Sequence, residues 1–219
     1  MKNIASYIDH TLLAAKATEA DIERICAEAR EYGFASVCVN SCRVAQCVGL
    51  LADTKVNICS VIGFPLGAMS TKAKAFEAGQ AVKDGADEID MVLNIGFLKD
   101  KRYDLVSQDI KTVKEACNGR LLKVIIETCL LNDEEKVKAC HLAVEAGADY
   151  VKTSTGFSSA GAKTEDVALM RKTVGPEIGV KASGGIHTYE EAKAMIDAGA
   201  SRIGASSGIA IVKGAATHA

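Results

Sequence analysis

Proline is scarce, with only Pro65 and Pro176 in 219 residues, and no Ser-, Gly- or charge-rich stretch divides the chain. Lacking a linker, residues 1–219 read as one domain, and 48% hydrophobic content is enough to bury a sizeable core. Long apolar runs are missing as well. The longest uncharged stretch, Val56 to Thr71, is broken by Asn57, Gly63, Pro65 and Gly67 and falls short of a membrane span. Met1 to Leu13 carries Asp9 and has no apolar core with a small-residue cleavage site, so a soluble cytoplasmic protein is expected. Neither charge sign is in excess. A formal charge of -2 gives no general attraction to nucleic acid or to acidic membranes, and any phosphate recognition must be local.

Other absences exclude further chemistry. The eight cysteines include no C-x-x-C pair, and Cys38 and Cys59 lie inside apolar runs, which argues against disulfides and zinc. They read as small buried hydrophobes, with Cys38, near a strand end, approaching the site. His10, His141, His187 and His218 show no ligand spacing, so no metal is assigned. His187 reads as the residue before a helix rather than as a site group. No Gly-rich dinucleotide fingerprint follows an early strand.

What is present is a repeated β/α unit. Glu31 to Ala35, Lys83 to Asp87, Glu145 to Asp149 and Asp197 to Ser201 each close a helical stretch with glycine and lead into an apolar strand. Thr18 with Asp21, Asn132 with Glu135, and Thr188 with Glu191 carry capping-box spacing at helix starts. The strands between them read as 7–12, 36–40, 57–63, 88–94, 121–128, 149–153, 179–182 and 201–205. Eight strands alternating with helices predict a closed (β/α)8 TIM barrel, an α/β fold, ahead of an open doubly wound sheet.

Two segments share one pattern: Val151-Lys152-Thr153-Ser154-Thr155-Gly156 and Val180-Lys181-Ala182-Ser183-Gly184-Gly185. Each places a lysine at a strand's C-terminal end, where parallel α/β proteins collect their chemistry. If the strands are neighbours, two ammonium groups at roughly 6 Å repel by about 2.8 kcal/mol at an effective dielectric near 20, so one tends to be neutral. A neutral amine at pH 7 suits Schiff-base formation with a carbonyl, with the second lysine as activator.

The full set of strand-end residues includes Asp9, Thr11, Asn40, Asp90, Asn94, Glu127, Lys152, Thr155, Lys181, Ser183 and Ser206. In Glu88 to Asn94, alternation turns Glu88, Asp90, Val92 and Asn94 inward, and the lumen carboxylate of Asp90 needs Lys152 and Lys181 as partners. It reads as a general acid/base. Gly184-Gly185 after the seventh strand, and Ser206-Ser207 before a helix after the eighth, expose backbone N–H groups suited to phosphate.

Ile8 to Leu13, Glu88 to Val92, Val151 to Phe157, Lys181 to Ile186 and Gly204 to Ser207 together resemble the deoxyribose-phosphate aldolase family, in order and over nearly the whole chain. The resemblance implies a class I aldolase on a (β/α)8 barrel that cleaves 2-deoxy-D-ribose 5-phosphate reversibly to acetaldehyde and D-glyceraldehyde 3-phosphate, without metal or organic cofactor. It makes Lys152 the Schiff-base residue, Lys181 its activator and Asp90 part of the proton relay. Gly156, Gly184, Gly185, Ser206 and Ser207 contact phosphate, and Asp9, Thr11 and Thr155 lie near the sugar hydroxyls or the relay. A homodimer or homotetramer is implied.

Two features depart from some members. Phe157 stands where they carry a phosphate-binding lysine, which shifts phosphate affinity toward backbone groups. The chain ends Thr217-His218-Ala219 where they end in a tyrosine-bearing tail that aids proton transfer. Two other readings of the residues remain: a sugar-phosphate isomerase or cyclase using Asp90 with Lys181 and no covalent adduct, and a non-catalytic barrel binding a phosphorylated metabolite.

Overall fold

The structure is a computed structural model that describes residues 3–217. The tail residues His218 and Ala219 lie outside them. Eight parallel strands close into a barrel in sequence order: β1 (Ile8–Leu12), β2 (Ser36–Asn40), β3 (Asn57–Ile62), β4 (Glu88–Val92), β5 (Leu121–Ile125), β6 (Tyr150–Lys152), β7 (Gly179–Ser183) and β8 (Arg202–Ala205). The expected TIM barrel is therefore present, and the open sheet is not. β1 settles closure, because Asp9 stands opposite both Ser36 of β2 and Gly204 of β8.

The helices form the outer layer: α1 (Glu19–Tyr32), α2 (Val44–Leu51), α3 (Thr71–Lys83), α4 (Ile95–Lys99), α5 (Tyr103–Ala116), α6 (Asp133–Glu145), α7 (Thr164–Val174), α8 (Tyr189–Asp197) and α9 (Gly208–Thr217). α1, α6 and α8 begin with the three capping boxes legible in the sequence. α1 ends at Gly33, whose left-handed φ of 65° turns the chain back toward the sheet. At all four glycine joints the residue after the glycine donates its N–H to the carbonyl five positions back: Phe34 to Ala29, Ala86 to Ala81, Ala148 to Ala143, and Ala200 to Met195. Repeated closure of this kind aims every following strand into the barrel.

The main apolar core lies between strands and helices. In α1, for example, Ile22, Ile25, Cys26 and Ala29 are buried on one face, and each fully buried large aliphatic contributes about 1.5–3 kcal/mol. Inside the barrel a small apolar group gathers, Leu13, Cys38, Cys59 and Val61 with Phe64 against it. Charged side chains fill much of the rest of the lumen.

Two strands stop two or more residues earlier than their apolar patterns suggest. β4 ends at Val92, and Asn94 caps α4 by accepting a hydrogen bond of 3.1 Å from the Phe97 N–H, so it does not join the lumen alternation. β5 ends at Ile125, and Glu127 turns left-handed with φ 54°.

Candidate active site

Period-two alternation aims Glu88 and Asp90 on β4, Lys123 on β5, Lys152 on β6, Lys181 on β7, Arg202 on β8 and Asp9 on β1 into the lumen. Parallel pairing then sets Asp90 opposite Lys123, Lys152 opposite Lys181, and Lys181 opposite Arg202. Lys152 and Lys181 donate to the same Asp90 oxygen, Oδ2, at 2.7 and 2.8 Å. Lys123 donates to Asp90 Oδ1 at 2.7 Å and pairs with Glu88 at 2.5 Å. Lys181 reaches Asp9 at 2.5 Å, while Arg202 pairs with Asp9 and, at 2.9 Å, with Glu88. Ser36 donates to Asp9 as well. Gly204 makes room for this, since a Cβ there would stand 3.0 Å from Lys181 Cε and 2.9 Å from Ser183 Cβ.

All seven charged groups are buried, and buried charge persists only when paired. Four cations face three carboxylates, so the set carries one positive charge in excess. Burial opposes ionisation of Asp90, but Lys123, Lys152 and Lys181 outweigh it and hold the carboxyl well below the usual range. For Lys181 burial likewise opposes charge, and Asp9 with Asp90 overcome it, raising the ammonium above its ordinary value. Lys123 is raised in the same way by Asp90 and Glu88. Lys181 is thereby held as a cation between two carboxylates, whereas Lys152 has Asp90 alone.

Lys152 is also the member of this set that reaches the surface of a cavity of about 500 Å³ at the C-terminal end of the strands. Thr11, Thr155, Gly156, Gly184, Gly185 and Ser206 line the same cavity. Asp90, Lys181 and Asp9 lie beneath its wall. Ser207 stands behind the wall, with its hydroxyl 3.3 Å from His187 Nδ1, and His187 itself lines the cavity instead of merely preceding α8. Phe157 forms part of the rim, 56% exposed, with its ring edge-on to Phe64 at 5.2 Å. A larger depression of about 640 Å³ beside α3 and α5 is lined by Lys83 and Arg120 but by no acid or thiol.

Sequence reasoning passed over Lys123 and Arg202. For Lys123 the available signal was a charge inside an apolar strand, Leu121-Leu122-Lys123-Val124-Ile125, the same signal that exposed Asp90. Cys38 does approach the site, where it pairs across the sheet with Cys59. The neighbouring Cys59 thiol brings the Cys38 thiol down to about 7, and Cys59, whose own S–H donates to Asp90 Oδ1 at 3.1 Å, is pushed up by burial. Cys38, Cys59 and Asp90 place ligand atoms within 4.8 Å of one another. Both Asp90 oxygens are already held by ammonium groups, however, so a cation entering there would meet three like charges. Asn40 is spent on the Leu13 carbonyl at 3.3 Å.

Residues 3–215 match the family described as DeoC/LacD family aldolase. The deoxyribose-phosphate aldolase of Finegoldia magna is 64% identical over 208 residues, which cover 95% of this chain and 98% of that relative. That of Enterococcus faecalis is 64% identical over 209 residues, with 95% of each chain covered. Among solved structures, a tetrameric deoxyribose phosphate aldolase from Aeropyrum pernix superposes with a TM-score of 0.92 at 33% identity, covering 99% of this chain and 92% of its own.

Proposed function

The chain belongs to the DeoC/LacD aldolase family, and from that premise we propose that Lys152 is the nucleophile of a Schiff-base cleavage of 2-deoxy-D-ribose 5-phosphate. The observation that carries this reading is the division of labour around one oxygen. Lys152 and Lys181 share Asp90 Oδ2, yet only Lys152 lines the cavity. With the Lys152 amine neutral, the buried set balances at three cations against three carboxylates.

The neutral amine adds to the C1 aldehyde of the open-chain sugar, and loss of water leaves an iminium. A base removes the C3 hydroxyl proton, the C2–C3 bond breaks, and its electron pair flows toward the iminium nitrogen to form an enamine. D-Glyceraldehyde 3-phosphate departs. Protonation at C2 and hydrolysis then release acetaldehyde and regenerate Lys152. Asp90, bonded to both lysines, can relay protons between them, and Lys181 supplies a fixed positive charge beside the nucleophile. Asp9 serves by holding Lys181 rather than by touching the sugar. The backbone at Gly156, Gly184, Gly185 and Ser206 forms the phosphate end, with His187 and Ser207 beside it. Thr11 and Thr155 face the sugar hydroxyls.

Borohydride reduction after incubation with acetaldehyde tests the nucleophile, read by intact mass and peptide mapping. A single ethyl adduct on Lys152, absent in Lys152→Arg together with turnover, is expected. An adduct on Lys181 would exchange the two roles. Absence of an adduct in folded protein would favour proton-transfer chemistry at Asp90.

The same reading includes a homodimer or homotetramer in the cytoplasm, built from one domain. Leu66 and Phe76, each 75% exposed, are apolar area that association would cover, and no helix among the described residues is long and apolar enough to cross a membrane. Sedimentation analysis and a single cooperative unfolding transition check these points.

A further inference from the structure

Glu127 stands where β5 leaves the barrel, in a conformation that costs a non-glycine residue free energy, φ 54° and ψ 67°, and only 2% exposed. Its carboxylate is engaged chiefly by Thr155, with the Cys129 thiol reaching Oε1 at 4.0 Å. Oε2 accepts the Thr155 hydroxyl at 2.5 Å, and Oε1 accepts the Thr155 backbone N–H at 3.2 Å. The Thr155 Oγ1 in turn accepts the backbone N–H of Phe157 at 3.0 Å. These bonds account for the one hydroxyl hydrogen and for one of the two lone pairs of Thr155. What remains at the cavity wall is an acceptor.

We infer that Glu127 is a positioning residue that fixes the direction of the Thr155 hydroxyl, so that Thr155 meets the substrate only as a hydrogen-bond acceptor and selects a ligand bearing a hydroxyl donor there. The inference rests on the cavity being the aldolase site proposed above. A carboxylate has acceptor sites and no donors, so the Thr155 hydrogen cannot turn toward the cavity without abandoning the strongest partner available to it. The same clamp ties the end of β5 to the loop after β6 and holds the N–H of Phe157 beside Gly156. The strained backbone at position 127 is what brings the carboxylate back over Thr155 instead of outward.

Glu127→Gln isolates the direction of the hydrogen bond at nearly constant volume. Its amide keeps an oxygen for the Thr155 N–H and turns an NH₂ toward Oγ1, which then receives two donors and must aim its own hydrogen into the cavity. KM for 2-deoxy-D-ribose 5-phosphate is expected to rise roughly tenfold with kcat changed far less, the size of losing one hydrogen bond between neutral groups. A double-mutant cycle supplies the readout that a merely structural role would not move. In the Thr155→Ser background, which keeps a hydroxyl, Glu127→Gln should cost the full factor; in the Thr155→Val background it should cost less than about twofold. The borohydride adduct of acetaldehyde, which carries no hydroxyl, should form as in wild type.

An unchanged KM in Glu127→Gln, costs that multiply in the Thr155→Val background, or loss of the acetaldehyde adduct in the variant would overturn the inference. If Glu127→Gln melts below the assay temperature, Glu127→Asp, whose shorter side chain withdraws from Thr155 and frees its hydroxyl to rotate, replaces it, with a smaller rise in KM expected, again only where position 155 keeps a hydroxyl. Failure of wild-type protein to form the Lys152 adduct would sink the Schiff-base reading alone, because the cycle reads sugar cleavage whatever the nucleophile.

Discussion

Lys152 on β6 and Lys181 on β7 are direct partners in the parallel register, and their ammonium groups converge on one oxygen of Asp90. Neighbouring lysines at this spacing repel, and the carboxylate between them compensates only while it is charged. The pair differs in what else it touches. Lys181 has Asp9 beneath it and Lys152 has the cavity above it, and this asymmetry separates an activator from a nucleophile.

Asp90→Asn removes the charge that three lysines share. The expected loss is about 3–5 kcal/mol in urea unfolding, the range for stripping one partner from a buried ionic set. Turnover should fall by roughly 10²–10⁴ as the proton relay is lost. A variant with unaltered stability and near-normal turnover would show that the lysines are held by something else.

The lumen network has a defined pH window. Asp90 is lowered by its lysine partners against the opposing effect of burial, so its contribution is present above about pH 4 and lost as pH falls through its depressed folded value. Lys123 and Lys181 are raised, so theirs is present below about pH 10 and lost only as pH rises through their elevated folded values. The Tm difference between wild type and Lys181→Met should therefore be flat from about pH 5 to 9 and shrink below about pH 4. Calorimetry across that range checks it, and a steep slope near neutrality would contradict the assignment.

Gly161 packs on Gly184 so closely that a Cβ would stand 2.1 Å from the Gly184 carbonyl oxygen, and the neighbouring Ala162 N–H donates to that oxygen at 3.0 Å. Gly161→Ala must push the loop after β6 away from the loop after β7. The phosphate end widens, and KM for the phosphorylated sugar should rise at least about tenfold while the acetaldehyde adduct at Lys152 persists. The destabilisation expected is about 1–3 kcal/mol.

Phe157 lies at the rim with its ring against Phe64, and among the described residues no lysine or arginine other than Lys152 lines the cavity. Phe157→Lys should lower KM for the phosphorylated substrate about two- to fivefold at low salt, as suits an exposed charge pair, and the gain should vanish by roughly 0.5 M salt. An equal gain with unphosphorylated 2-deoxyribose would show that the new side chain acts by shape.

Much of this was legible along the chain because it is local. Capping boxes, glycine joints and strand alternation depend on neighbours within a few residues, and Lys152, Lys181 and Asp90 stood out as charges in apolar strands. Lys123 carried the same signal and went unread, while Arg202, at the first position of β8, had no apolar run before it to mark it. His187 looked like the residue before a helix, and its place at the cavity emerges only when the loop after β7 meets Ser207. Asn94 and Glu127 both sit beyond strand ends that the apolar pattern extended too far.

The amino-acid sequence by itself determined that eight strands and their helices alternate, where each begins and ends to within a few residues, and which strands end in charged or hydroxyl groups. Those outcomes follow from backbone preferences and side-chain periodicity. Closure of the barrel decided the rest. It made Lys152 and Lys181 share one carboxylate, set Asp9 and Arg202 beneath them from opposite ends of the chain, and clamped Thr155 with Glu127. Such pairings depend on which strands become neighbours and in what register, and a burial cost that only a fully assembled set of opposite charges can offset leaves no mark on any one segment.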